Sequence, residues 1–512
     1  MYTFSSKLKT FSFILMIVGI LGIGYGFLTA PKDIQEVEKI LAEADHGHHG
    51  AAAGHEAAPA HHDAKEANAA PSHEDHAEAK TDSAAPAVAA HAAEKNLDTM
   101  HVDTLSVAAT PAAENHDAPA AHAEDKTEAH ADHKAEAHDA HAEHQEHLEH
   151  VLHQLQNKPW AAFYVACIFF LLLTMGVLAF YAIQQVAQAG WSPVLFRVMQ
   201  GITAYLPVGS VIFFIVLILC GLHMNHLFIW LDPEVVAHDK LIQNKAGYLN
   251  FPFWIIRAAI FLIGWNLYNY FARKNCLAQD EANDDVYYKK NFKMSAAFLV
   301  FFIVTESIMS WDWIMSIDPH WFSTLFGWYV FASFFVSGIT TICLVTLYLK
   351  SKGYLEHVNT SHIHDLAKFM FGISVFWTYL WFSQFMLIWY ANIPEEVTYF
   401  ITRIEHYNLP FFGAVVMNFL FPILILINTD FKRITWVLVM AGVVILAGHY
   451  IDFFNMIMPS AVGDQWFIGV PEIGSLLFFL GLFLFVVFNA LTKSPLLPKR
   501  NPFIEESKHF HY

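Results

Sequence analysis

Residues 160–183 read WAAFYVACIFFLLLTMGVLAFYAI and hold no charged side chain. A hydrocarbon core of about 30 Å is crossed by roughly 20 apolar residues in an α-helix, so this stretch predicts a membrane-spanning helix. Of the whole chain, 55% of the residues are hydrophobic and only 15% are charged. This composition argues against a soluble protein, for which 512 residues would suggest two to four domains.

Nine further stretches of the chain have a similar length and character. The ten predicted helices cover residues 11–28, 160–183, 206–222, 251–272, 294–315, 325–349, 369–389, 411–427, 434–456 and 473–491. The first stretch follows Lys7 and Lys9 and resembles a signal peptide, but we expect it to be retained as an anchor. The sequence thus predicts an all-α integral membrane protein with ten transmembrane helices.

The positive charges are distributed unequally between the two predicted sides of the membrane. One side holds both termini and the connections after the second, fourth, sixth and eighth stretches, with 17 Lys and Arg. The short connections on the other side hold three, namely Lys240, Lys245 and Arg403. Since positive residues favour the cytoplasm, both termini are predicted to be cytoplasmic and the long first connection periplasmic.

The long first connection, residues 43–157, is rich in Ala, His, Glu and Asp and holds 20 of the 31 histidines. Residues 29–159 hold 26 acidic residues and 8 lysines, which account for the whole net charge of −18. With few large apolar residues, the segment is predicted to be largely disordered, except that residues 135–156 favour an extension of the second helix. Two interpretations stay open, a solvated acidic tether and a tract that binds zinc, copper or nickel. The first is favoured, and no metal site is predicted.

The cysteines limit the redox chemistry of the chain. The four of them are Cys167, Cys220, Cys276 and Cys343, and no two have C-x-x-C spacing. A disulfide framework, a covalently attached haem c and an iron–sulfur cluster are therefore not expected.

Part of the sequence occurs twice. LFIWLDPEV at 227–235 precedes YLNFPF at 248–253, and LIWYANIPEEV at 387–397 precedes YNLPFF at 407–412. The offset is four predicted helices, so both copies have the same orientation. Two tandem four-helix bundles are predicted, formed by helices 2–5 and 6–9, with the first and tenth helices outside them.

The same duplication relates two acidic residues. Asp312 lies seven residues before Pro319, and Asp452 lies seven residues before Pro459. The predicted organisation is an N-terminal anchor (1–42), the low-complexity loop (43–157), the first bundle (158–320), the second bundle (321–460), and the tenth helix with a cytoplasmic tail (461–512).

Ionisable and polar residues inside a bilayer are costly, so each is a functional candidate. The candidates for a proton path or a quinone site, which lie mostly towards the predicted outer side, are Asp312, Glu306, His449, Asp452, Arg257, His223, Gln384, Tyr390 and Glu472. Their spacing predicts that His223 and His226 share one helix face, as do His449 and Asp452. Structural alternatives stay open, namely an ion pair of Arg257 with Glu306 and helix capping by the two aspartates. No catalytic residue is assigned.

SWDWIMSIDPHWF at 310–322 and WYANIPEE at 389–396 resemble the membrane subunits of alternative complex III, which are NrfD/PsrC-like proteins. The resemblance covers residues 160–491 and does not include the His-rich insertion. Between the two paralogous ten-helix subunits of that complex, the chain is more similar to the ActF type, and the quinol-oxidising ActC type is the alternative.

The resemblance implies a respiratory quinol oxidoreductase of the bacterial inner membrane that passes electrons to cytochrome c or a terminal oxidase. It implies menaquinol or ubiquinol as the substrate of the complex, and a proton path with a possible quinone contact as the part of this subunit. It also implies that haem c and iron–sulfur clusters are held by partner subunits, which are an ActC-like paralogue, an iron–sulfur subunit and c-type cytochromes. A terminal oxidase is a further implied partner, and a nucleic acid is not.

Quinol oxidation releases two protons, and carboxylates and histidines are suited to accept them. Asp312, Glu306, His449 and Asp452 are therefore the predicted proton carriers, with Arg257 tuning their charge. By itself the subunit is not expected to be catalytic. A purely structural scaffold and a secondary transporter are the other functions considered, and the latter is disfavoured because the predicted helices have few central breaks.

Overall fold

The computed structural model describes residues 2–41 and 128–511, and all regular structure in these ranges is helical. Ten of the described helices are long and apolar enough to cross a membrane. They are α1 (Ser6–Thr29), α2 (Glu128–Val186), α3 (Pro193–Gly221), α4 (Phe251–Gln279), α5 (Val286–Trp313), α6 (Phe326–Ser351), α7 (Thr360–Ala391), α8 (Asn408–Leu426), α9 (Thr435–Val462) and α10 (Val470–Leu491). The predicted all-α, multi-pass membrane fold is confirmed.

Most of the helices extend beyond the predicted apolar stretches. For example, α7 begins nine residues before position 369, where Asn359 caps it by accepting hydrogen bonds from the backbone N–H groups of Ser361 and His362 at 2.9 and 3.2 Å. α3 begins at Pro193 rather than at 206, because turns that include the buried Arg197 precede its apolar part. Apolar length therefore marks where a helix crosses hydrocarbon rather than where it begins.

α2 and α6 form the centre of the protein. Of their most apolar segments, 94% and 89% of the residues are buried, against 22% for α1. The two central helices approach closely at two glycines, where a Cβ on Gly176 would lie 2.4 Å from the carbonyl oxygen of Phe334 and one on Gly338 would lie 2.7 Å from the backbone nitrogen of Val177. Small residues allow such close packing in membranes, where hydrophobic burial does not drive helix association.

α1 lies at the periphery and packs along α10. A Cβ on Gly19 would lie 2.4 Å from the backbone nitrogen of Phe478, and one on Gly22 would lie 2.8 Å from the Cα of Gly474. The other faces of α1 leave large apolar side chains exposed, including Leu28. α1 is therefore peripheral, whereas α10 packs against α1 and also lines a cavity with α2, α6 and α9.

Two ends of the helix assembly are distinguished by their contacts. At the cluster end, Tyr164 near the middle of α2 donates to the carbonyl oxygen of Trp313 at the end of α5, at 2.7 Å. At the basic end, Arg197 before the apolar part of α3 pairs with Asp280 after α4, with an Nη2–Oδ2 distance of 2.6 Å. The side of the helix assembly with the Tyr164–Trp313 contact is called the cluster end, and the side with the Arg197–Asp280 pair is called the basic end.

The prediction that His223 and His226 share a helix face is wrong. α3 ends at Gly221, and His223 adopts a left-handed conformation with φ of 55° in an exposed turn. The side chain of Asn157 bonds to both backbone groups of His226. Its Oδ1 accepts from the N–H at 3.0 Å, and its Nδ2 donates to the carbonyl oxygen at 3.1 Å. The helix therefore stops before either histidine.

Most of the predicted low-complexity loop lies outside the described residues. The described part starts again at Glu128, where α2 begins, and this agrees with the predicted helical extension over residues 135–156. Near it, Val37 packs against Leu148 and Val151 in a small separate apolar cluster.

Candidate functional site

The carboxylate of Asp312 lies at the cluster end of α5 and is fully buried. Arg257 of α4 forms a bidentate ion pair with this carboxylate, in which Nε donates to Oδ2 at 2.6 Å and Nη2 donates to Oδ1 at 2.9 Å. The hydroxyl of Tyr248 donates to Oδ1 at 2.8 Å, and the guanidinium carbon lies 4.0 Å from the centre of the same tyrosine ring. Bidentate pairs of this kind are the strong ones, so the carboxylate is matched by a fixed positive charge.

Arg257, Asp312 and Tyr248, together with Trp254 and Ser316, are here called the Asp312 cluster. The last two residues form hydrogen bonds to the end of α5. The indole N–H of Trp254 and the hydroxyl of Ser316 donate to the carbonyl oxygen of Asp312 at 2.9 and 2.7 Å. The last carbonyl groups of a helix lack partners within the helix, so these two donors satisfy one of them. Burial and the adjacent carboxylate raise the pKa of Tyr248 above its ordinary value, which keeps its hydroxyl a donor.

The alternative pairing of Arg257 with Glu306 is wrong, because Arg257 bonds to Asp312. Glu306 is 3% exposed, and its Oε2 accepts from the hydroxyl of Ser307 at 3.1 Å. Its Oε1 has no hydrogen-bond partner among the described residues. A carboxyl group without a paired cation inside a membrane protein is suited to carry a proton.

Asp452 of α9 is the centre of a second buried arrangement, here called the Asp452 cluster. Its Oδ2 accepts from the hydroxyl of Ser333 at 2.8 Å and from the indole N–H of Trp377 at 2.9 Å. Its Oδ1 accepts from the hydroxyl of Tyr329. Donors from α6 and α7 therefore converge on a carboxylate that is 1% exposed.

His449 lies one turn before Asp452 on the same face of α9, as predicted, with its Nδ1 3.8 Å from Oδ2. The same Nδ1 is 3.0 Å from the hydroxyl of Ser333. A serine has a single proton, and Ser333 uses it on Asp452, so the geometry assigns the Nδ1 proton to His449 as donor to Ser333. The other ring nitrogen, Nε2, is buried and has no partner in the described part of the chain.

The two clusters differ in charge. Within the described ranges, no Lys or Arg side chain forms an ion pair with Asp452. The buried Arg403 instead donates to the carbonyl oxygens of Asn455 and Tyr399 at 3.1 and 2.8 Å, and its guanidinium stacks 3.3 Å from the ring centre of Tyr399. Asp312 thus has a bonded cation and Asp452 has neutral donors and a histidine.

A series of buried hydroxyl groups continues from the Asp452 cluster along α6 towards the basic end. Ser337 donates to the carbonyl oxygen of Ser333 at 2.7 Å, and Thr341 donates to that of Ser337 at 2.8 Å. The hydroxyls of Thr340 and Thr346 have no partner among the described residues. From Ser333 to Thr346 the helix rises roughly 20 Å at 1.5 Å per residue. The α6 hydroxyl series is therefore long enough to reach deep into the membrane.

Asn418 adds unpartnered polar atoms next to the Asp452 cluster. It lies in a π-helical turn of α8, Val416–Leu420, and neither its side-chain oxygen nor its side-chain nitrogen has a partner in the described structure. It packs against Gly448, where a Cβ would lie 2.2 Å from Asn418 Oδ1. Since Gly448 directly precedes His449, the π-turn brings this amide beside the histidine, and such turns are frequent at functional sites.

A cavity of about 470 Å³ lies between α2, α6, α9 and α10. Its wall is almost entirely apolar, and Glu472 and Tyr450 are its ionisable residues. Glu472 Oε2 accepts from the backbone N–H of Gly469 at 2.8 Å, while Oε1 is buried without a described partner. An apolar cavity with few polar groups is typical of small-molecule sites.

Besides Glu306 and Glu472, three predicted site residues lie outside both clusters. His223 occupies the exposed turn after α3, and Tyr390 is 91% exposed near the end of α7. Gln384 is buried on α7, and its Oε1 has no described partner, but no hydrogen bond joins it to either cluster.

Several residues of the clusters were not predicted from the sequence. They are Tyr248, Trp254, Tyr329, Ser333 and Trp377. A buried indole N–H or phenol needs a hydrogen-bond partner, so tryptophan and tyrosine near a buried acid are a usable signal. The α6 hydroxyls lie within the predicted apolar stretch 325–349 and carry no comparable signal.

Among the described residues, no group of three or more His, Cys, Asp or Glu side chains is arranged to hold a metal ion. The His-rich tract, on which the alternative of a metal tract depends, lies largely outside those residues. Comparison of the chain with protein-family models and with curated proteins finds no match.

Proposed function

We propose that the chain is a membrane subunit of a respiratory quinol oxidoreductase of the alternative complex III type, in which it carries protons and holds no redox centre. The observation that carries this proposal is the Asp452 cluster, where a buried carboxylate and a buried histidine share Ser333. The motifs at 310–322 and 389–396 support the assignment to a quinol-oxidising complex.

The hydrogen bonds of the Asp452 cluster define a path for one proton. A proton that binds Nε2 of His449 makes the ring cationic, so the ring then releases its Nδ1 proton to the Ser333 oxygen. Ser333 passes its own hydroxyl proton to Oδ2 of Asp452. Each group ends neutral, with one proton moved from the histidine side to the carboxyl side. Because no Lys or Arg of the described residues is bonded to Asp452, its protonation breaks no ion pair with a fixed charge there.

The distribution of positive charge supports the assignment of the cluster end to the outer side of the membrane. The basic side carries 17 Lys and Arg against three in the short connections of the other side, and positive residues favour the cytoplasm. We therefore assign both termini to the cytoplasm and the His-rich loop to the periplasm of a bacterial inner membrane. Protons would then leave towards the periplasm.

The proposed complex supplies the parts of the reaction that this chain lacks. Haem c and iron–sulfur clusters would belong to partner subunits, including an ActC-like paralogue, and the electrons would pass to a c-type cytochrome or a terminal oxidase. The cavity at Glu472 is the proposed surface for contact with menaquinol or ubiquinol, since its apolar wall suits a quinone and its carboxyl group is buried.

A scaffold role is the second candidate, and the Asp312 cluster favours it. There the carboxylate is fully buried and already matched by Arg257 and Tyr248. Such a pair fixes the packing of α4 against α5 and offers no unpaired group for proton transfer. The two functions concern different bundles, so one subunit can combine them.

Purification of the native assembly tests the proposed function. With an affinity tag on this chain in its own host, we expect c-type haem absorbance, an iron–sulfur subunit and quinol oxidation to copurify with it. A tagged, unrelated multi-pass protein from the same membrane serves as the control. Recovery of the chain in a homogeneous assembly without haem or iron–sulfur subunits would overturn the proposal.

The shared serine gives a more specific prediction. Ser333→Ala removes the one hydroxyl that joins His449 to Asp452 among the described residues. We therefore expect the rate of proton release to fall roughly tenfold, less than for loss of a group that itself carries the proton. Release is measured with a pH dye outside proteoliposomes that contain the assembled complex. Ser12→Ala is the matched control, because the hydroxyl of this buried serine donates to the carbonyl oxygen of Leu8 in its own helix and makes no other hydrogen bond within the described residues. Equal rates in both variants would exclude Ser333 from the path.

A further inference from the structure

A groove of about 950 Å³ lies between α3 and α4. Its volume lies within the range of about 300–1,000 Å³ found for small-molecule sites. The lining is mainly apolar, and Val211, Ile215 and Ile263 along it are at least half exposed. In a membrane these side chains face lipid, so the groove is open to the hydrocarbon rather than to water.

The end of the groove nearest the basic end is positively charged. Arg273 and Lys274 line it there, and no acidic side chain is among its lining residues. Arg273 donates to the carbonyl oxygen of Ala490 at 3.4 Å, and neither cation forms an ion pair within the described part of the chain. The nearby Arg197, by contrast, is already paired with Asp280.

The groove and its charged end match the length of a lipid chain. From Arg273 to Ala259, α4 rises roughly 21 Å, which exceeds one half of a hydrocarbon core of about 30 Å. A long acyl chain can therefore lie along the helices while its headgroup stays at the two cations. Long basic side chains reach towards the membrane surface in this way.

We propose that this groove binds one anionic glycerophospholipid, with its phosphate at Arg273 and Lys274 and an acyl chain between α3 and α4. The guanidinium supplies paired N–H donors for phosphate oxygens, and the ammonium group adds a second positive charge. Basic pockets between transmembrane helices bind acidic headgroups for the same reason. A neutral lipid offers the same acyl chain without the net negative charge.

Native mass spectrometry of the full-length chain in detergent tests the proposal, with phosphatidylglycerol and phosphatidylcholine as the two probes. We expect one tightly retained phosphatidylglycerol and no comparable retention of phosphatidylcholine. The double variant Arg273→Gln/Lys274→Gln should weaken phosphatidylglycerol retention by about tenfold or more. Lys289→Gln/Lys290→Gln is the matched control, since it removes the same charge from two exposed lysines of α5.

A third variant tests the contribution of the apolar wall to lipid binding separately from that of the two cations. Ile263→Trp places a large side chain on the exposed wall of the groove, and it should reduce phosphatidylglycerol retention although both cations remain. The proposal would be overturned if the control variant lost as much phosphatidylglycerol as the double variant, or if the double variant retained it as well as the wild type. Equal retention of phosphatidylglycerol and phosphatidylcholine by the wild type would also overturn it. Cross-linking of a partner protein along Ile263 in the assembled complex would overturn it as well.

Discussion

Asp452→Asn is expected to lower quinol-driven proton release by the assembled complex about a hundredfold, within the range usual for loss of a proton-transfer group. The asparagine side chain keeps the size of aspartate and an acceptor oxygen, but it cannot take up the proton that Ser333 delivers. Its amide also faces donors from Ser333 and Trp377, which both bond to Oδ2 in the native protein. Proton release in proteoliposomes and quinol oxidation are measured on the same preparation.

Two further measurements separate proton transfer from damage to the fold. Tyr329→Phe removes one donor to Asp452 and leaves the carboxylate in place, so we expect an intermediate loss and a shifted pH profile. Haem content and subunit composition should equal those of the wild type in both variants. Wild-type proton release by a fully assembled Asp452→Asn complex would rule out this residue as a carrier.

The number of helices was predictable because hydrocarbon thickness imposes a minimum apolar length on each of them. Their ends were less predictable, since a helix continues into polar sequence wherever caps and neighbours satisfy its backbone groups. Asn359 caps α7 well before the apolar stretch, and α3 starts at Pro193, ahead of the buried Arg197. α3 ends before His223, and beyond that end the backbone of His226 bonds to Asn157, which lies far away in the sequence.

The paired aspartates were predictable from the duplicated sequence, but the partners of Asp312 were not. Glu306 and Asp312 are six residues apart on α5, which turns the helix by about 240°, so only one of them can face Arg257. The choice depends on how α5 is rotated against α4, and composition does not encode that rotation. His449 and Asp452 were correctly predicted to share one face, because side chains three positions apart in a helix are neighbours on its surface.

Arg257→Gln is expected to destabilise the protein by roughly 3–5 kcal/mol, the cost of removing one partner from a buried ion pair. The variant leaves the Asp312 carboxylate fully buried with one side-chain donor, Tyr248. Thermal unfolding of the full-length chain in detergent measures the loss. Arg403→Gln is the matched control, since among the described residues this buried arginine donates to backbone carbonyl oxygens and pairs with no carboxylate. It should cost clearly less.

A double variant then distinguishes a stranded charge from lost packing. Arg257→Met combined with Asp312→Leu removes both charges and keeps similar volumes, so it should recover at least half of the stability that Arg257→Gln loses. If Arg257→Gln is as stable as the wild type, or if the double variant is the least stable of all, the ion pair does not hold α4 against α5. With the expected results, the duplicated aspartates have separate effects. Changes at Asp312 alter stability because its charge is matched, whereas changes at Asp452 alter proton transfer because its charge is not.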